Sequence, residues 1–147
     1  MRVRLALVVA VSALALAACS RGSLPDVRVE TVSAPLSSAA AEKLAASADI
    51  SAFASVETSE APALRARALG QLRAEGEDGS RTAELLTTGF PPLTASVPVL
   101  VRFCTVDGAD AVVVVEAYGD AGGTLTHRRL WVFDPVSGAL VRAASFL

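Results

Sequence analysis

The chain has 147 residues, which is room for one domain and too little for two of ordinary size. Thirteen basic and fifteen acidic residues leave a formal charge of −2. That balance argues against nucleic acid, whose binding requires a clustered basic face, and it gives no strong steering field toward a charged partner.

The first segment to be read is an address rather than a fold. Arg2 and Arg4 form a short basic opening, and residues 5–18 follow with Ser12 as their one polar member. Fourteen helical residues rise about 21 Å, short of the roughly 30 Å hydrocarbon core. The length suits the apolar core of a signal peptide and not a permanent span. Without residues 1–18 the body holds 11 basic against 15 acidic residues and is mildly acidic.

This segment closes on Leu16-Ala17-Ala18-Cys19, followed by Ser20. A signal peptide ending in L-A-A-C resembles the lipobox of bacterial lipoproteins. The resemblance covers about twenty residues and implies that the Cys19 thiol receives a diacylglyceryl group. It also implies cleavage before Cys19 and acylation, often by palmitate, of the new amino terminus. Each buried methylene contributes about 0.8 kcal/mol, so two or three chains anchor stably where one holds marginally. The implied location is the cell membrane or outer membrane, outside the cytoplasm. Ser20, being other than Asp, is compatible with export to the outer membrane in enteric-type cells.

Residues 19–35 read as a polar tether, with a short alternating edge-strand pattern at 27–32. Residues 36–46 are Ala-rich with Ser caps and predict a surface helix. The strongest helix pattern spans 60–75: Ser59 serves as cap, Pro62 falls in the first turn and Gly76 at the end. Leu64, Ala68, Leu69 and Leu72 form its apolar stripe, with Arg65, Gln71 and Arg73 directed elsewhere. Gly70 is the place for a close approach by another element. Residues 76–80 then break the chain, and Ser80 caps a short helix through Leu86.

The last fifty residues change period. Four β-rich runs, 97–106, 109–118, 124–133 and 139–147, are separated by the turn signals Asp107-Gly108, 119–123 and 134–138. Short connections imply antiparallel neighbours, hence a four-stranded meander whose second strand, apolar on both faces, is central and covered by helix on one side. The expected architecture is α+β, with N-terminal helices packed on that meander in a single domain over residues 36–147. The order of elements resembles the cone-shaped superfamily that includes ketosteroid isomerase and nuclear transport factor 2. Cystatin-like modules are a second resemblance of this kind. Both rest on element order alone, so they imply a fold and transfer no functional residue.

Few side chains here carry chemistry. Cys104 lies in an apolar strand, where a thiol behaves as a small hydrophobe. His127 is the single histidine and has no Cys, Asp or Glu at ligand spacing, which argues against a metal site. The glycines of 119–123 lack the Lys-Ser/Thr of a phosphate loop and read as a hairpin turn. On a sheet curved into a cone, Arg102, Glu116, Tyr118 and His127 are the groups that would line a cleft. No catalytic residue and no cofactor is assigned. The expectation is a membrane-anchored envelope lipoprotein with a binding, structural or accessory role, its partners the membrane and an envelope protein. The alternative is a ligand-binding or enzymatic domain using the concave face of the sheet.

Overall fold

The computed structural model describes residues 23–89 and 95–147. The apolar opening, Cys19 and the expected signal-peptide boundary lie outside the described residues. Within them, three helices pack on a five-stranded mixed sheet, an α+β arrangement. The strands are β1 (Arg28–Thr31), β2 (Ala95–Val106), β3 (Ala109–Gly119), β4 (His127–Phe133) and β5 (Leu140–Phe146), and they lie side by side in chain order. The helices are α1 (Ser38–Ala46), α2 (Ala61–Ala74) and α3 (Glu77–Thr88), with a single 3-10 turn at Ser51–Phe53.

Strands β2 to β5 run antiparallel, as their short connections dictate. The β2–β3 turn places Asp107 at φ 50° and Gly108 at φ 85°, the left-handed pair that matches strand twist in a two-residue hairpin. The sheet departs from a four-stranded meander at its other edge. There β1 joins β2 in parallel, with Val29 opposite Val101. The ordered domain therefore begins well before residue 36: the Val27 amide donates to Gln71 Oε1 at 3.1 Å, and the Leu36 amide bonds the Thr105 carbonyl at 2.8 Å. Pro98 is accommodated inside β2 because it lies beyond the stretch paired with β1, beside an irregularity in the register.

Alternation along β3 sends Ala111, Val113 and Val115 to one face and Val112, Val114 and Glu116 to the other. Both faces are covered. On the first, Ala41 and Ala45 of α1 pack with Val113, Val115, Leu130 and Val132. On the second, Leu69, Leu72, Ala83 and Leu86 of α2 and α3 pack with Val101, Val112, Val114 and Phe133. The helices thus sandwich the sheet instead of lying on one side, and β3 is buried on both faces from Ala111 to Gly119. The thin Ala face of α1 is no weakness, since small residues let the helix approach the strands closely. The Ser37 hydroxyl caps it by accepting from the Ala40 amide at 3.1 Å.

Three details of the helices differ from expectation. Gly76, at φ 102°, makes the whole break, and α3 starts at once with Glu77 and Asp78 in its first turn, where the helix dipole favours them. Gly70 is exposed with open space around it; the close approach is at Gly79, where a Cβ would stand 2.1 Å from the Leu72 carbonyl oxygen. Arg65 belongs to the buried face of α2, one helical turn from both Ala61 and Leu69.

Candidate functional site

The polar centre of the domain lies between the sheet and α2. Glu116 is the one acid in the buried length of β3, and Arg65 reaches it from α2. Their side chains are 1% and 9% exposed. Arg65 Nη1 donates to Glu116 Oε1 at 2.5 Å and to Ser96 Oγ at 3.1 Å, while Nη2 donates to the Leu86 carbonyl at 3.0 Å. The second carboxylate oxygen accepts from Trp131 Nε1 at 2.9 Å. Each oxygen of Glu116 thus has a donor. In a medium of low dielectric, such full pairing is the condition for holding two charges away from water.

Beside this pair, antiparallel register builds a ladder of aromatic and cationic groups. His127 stands opposite Tyr118, and Arg129 opposite Glu116. The Arg129 guanidinium carbon lies 4.2 Å from the Tyr118 ring centroid and 5.5 Å from that of Trp131, distances at which the ring faces attract a cation. The Tyr118 and His127 ring centroids are 5.4 Å apart at 52°. His127 Nδ1 is buried with no hydrogen-bond partner.

Arg102 is on the opposite face. It pairs with Glu30 of β1, Nε to Oε2 at 2.8 Å, and Glu30 also holds Arg28 at 2.8 Å. The sheet brings Tyr118, His127 and Glu116 together and separates Arg102 from them. The partners that sequence reading missed are Arg65, Trp131 and Arg129. For Arg65 a signal existed: its spacing of three, four and seven from Ala68, Leu69 and Leu72 sets it on the apolar stripe. For Trp131 and Arg129, strand alternation already sets both on the face of His127, and only their meeting with Glu116 depends on hairpin register.

Two grooves open elsewhere. One of about 760 Å³ is formed where the 119–123 loop docks on the segment before α2; it is lined by Glu57, Thr58, Ser59, Ala95 and residues 121–124. The Thr58 amide bonds the Gly123 carbonyl at 3.0 Å, and the Thr58 hydroxyl accepts from the Gly122 amide at 3.2 Å. The other, about 510 Å³, runs between residues 25–28 and 48–53, with Phe53, Val99 and Leu100 in its wall.

Elsewhere the titratable groups serve local structure. Ser38, through its hydroxyl and backbone N–H, holds the Asp107 carboxyl below the usual range. The backbone N–H groups of Ser137 and Val136 do the same for Asp134, in the turn before β5. Arg67 and Gln71 lower Asp26, and Ser51 lowers Asp49. Burial pushes the Cys104 thiol up, although Arg102 lies near. Among the described residues no three His, Cys, Asp or Glu side chains are grouped to hold a metal ion, and no helix is long and apolar enough to cross a membrane.

A scan against protein-family models and searches of curated proteins and of solved structures return no match to this chain.

Proposed function

We propose that the protein is a bacterial envelope lipoprotein, attached to a membrane through lipid on Cys19, whose α+β domain has a binding or structural role at the membrane face. The observation that carries this reading is the basic-apolar-L-A-A-C order of residues 1–19. The domain supports it in two ways. Its polar centre is engaged in its own cohesion: Arg65, Glu116 and Trp131 are joined to one another and to Ser96. Its chain is already held at Val27 by Gln71, eight residues after Cys19. At about 3.4 Å per residue, such a leash keeps the domain within roughly 27 Å of the lipid surface. The protein therefore works close against the membrane and not at the end of a long arm.

The test is labelling of the expressed full chain with a palmitate analogue, with and without the signal-peptidase inhibitor globomycin. The expected result is a labelled, membrane-bound protein whose precursor accumulates with the inhibitor, and loss of both label and membrane retention in Cys19→Ser. An unlabelled mature form cut away from Cys19 sinks the reading.

A second reading, a small-ligand or catalytic domain of the cone-shaped kind, has one observation in its favour. The partnerless Nδ1 belongs to a His127 ring whose centroid is 5.4 Å from that of Tyr118, which in turn carries the Arg129 guanidinium. A shift of the His127 imidazole NMR signals on addition of a small-molecule library would support it. An unchanged spectrum would leave the ladder a packing device.

A further inference from the structure

The two edges of the sheet are built differently. β1 is four residues long, carries Arg28 and Glu30 in an ion pair, and is flanked by Pro25 and Pro35. Shortness, charge and proline are the usual means of keeping an edge from pairing with another chain. β5 lacks the shortness and the proline, and carries one charge. It spans seven residues without Pro or Lys, and its single charge, Arg142, is neutralised by Glu42 of α1, to which Nε donates at 2.7 Å. No strand lies beyond it among the described residues. Besides Arg142 and Ser145 its exposed residues are apolar, Leu140, Val141 and Ala143, and Leu147 just beyond the strand is 93% exposed against 63% for Val141. The register irregularity between β4 and β5 falls at the start of the strand, which leaves 142–146 regularly paired.

We propose that the open edge of β5 pairs, antiparallel, with β5 of a second copy of this chain about a two-fold axis at Ala144. A row of unpaired backbone N–H and C=O groups specifies a strand as the occupant. The side chains then specify which strand. Opposite residues in an antiparallel pair share a face. Centred on Ala144, the arrangement sets Val141 against the partner's Leu147, so the two most exposed aliphatic groups of this edge cover each other, twice by symmetry. Ala143 meets the partner's Ser145, small against small. Arg142 meets the partner's Phe146 and stays clear of the partner's Arg142. With Glu42 already balancing Arg142, the two copies come together without like-charge repulsion. The sheet then runs continuously through both domains. The pairing rests on this edge alone and stands or falls separately from the lipid anchor.

Cysteine cross-linking in the full chain reads the register directly. Opposite Cα atoms in an antiparallel pair are about 4.5–5.5 Å apart, within disulfide reach, whereas the diagonal neighbours at 7–8 Å are not. Ala144→Cys is expected to give a disulfide-linked dimer under mild oxidation. Ala143→Cys and the parent chain, which retains Cys19 and Cys104, are expected not to. Sedimentation of the parent is expected to give a dimer, and of the Val141→Lys/Leu147→Lys variant a monomer with an unchanged circular dichroism spectrum, since both positions are exposed. A parent that sediments as a monomer overturns the proposal. So does cross-linking at 143 in place of 144, or capture of a different protein by Ala144→Cys without homodimer.

Discussion

At the scale of single residues, the Arg65–Glu116 pair decides most. Removing one partner strands the other charge, 1% or 9% exposed, against apolar side chains. Glu116→Leu or Arg65→Met alone is expected to cost about 3–5 kcal/mol in urea denaturation. The double variant strands no charge, only the neutral Trp131 Nε1, Ser96 Oγ and Leu86 carbonyl, and is expected to cost less than the two together; additive losses would show that the groups act independently. Cys104 gives a second test at this scale. Burial raises its pKa and so suppresses the reactive thiolate. Ellman's reagent at pH 8 is expected to react slowly with Cys104 in the folded chain and at the rate of a free thiol in denaturant. The chemical role of neither residue follows from its type. An arginine in a helix is ordinarily a solvated group, and only the spacing to Ala68, Leu69 and Leu72 marks Arg65 as inward-facing.

At the scale of elements, the contact between α2 and α3 depends on the missing side chain at Gly79. In an open helix, Gly→Ala stabilises by about 1 kcal/mol. Here the added Cβ meets the Leu72 carbonyl oxygen at 2.1 Å, so backbone must move. Gly79→Ala is therefore expected to destabilise the domain by about 1–3 kcal/mol, while Gly70→Ala, in open space, is expected to stabilise it. Thermal melts of the two variants should shift in opposite directions; a gain at both would mean that α3 can slide. Local pattern made all three helices and all five strands readable to within a few residues. It failed at the 76–80 segment, because the glycine at 79 looks like a breaker in sequence and acts as a contact surface in the fold.

At the scale of the whole molecule, turns hold the layers in register and give stability a pH dependence. Asp107 ties the β2–β3 hairpin to the start of α1 through Ser38, and Asp134 ties the turn before β5. Both carboxyls titrate below their unfolded value of about 3.9. The sign follows: their contribution is fully present above about pH 4 and is lost as pH falls through the folded-state values. Acid denaturation is expected to steepen below about pH 4, with a shallower acid limb in Asp107→Asn. That substitution keeps a residue tolerant of φ 50° while removing the charge. An unchanged limb would place the acid sensitivity elsewhere.

What the sequence determined by itself is what short-range chemistry can decide. The strand periods, the Asp107-Gly108 hairpin, the antiparallel order of β2 to β5 and the central place of β3 all follow from neighbours a few residues apart. The resemblance of residues 1–19 to a lipoprotein signal is likewise local. Only the tertiary structure decided that residues 28–31 join β2 in parallel, that helices take both faces of the sheet, and that Arg102 is parted from Tyr118 and His127. The reason is distance along the chain. Arg65 meets Glu116 across 51 residues and Arg102 meets Glu30 across 72, and such pairings are set by how whole layers bury their apolar faces.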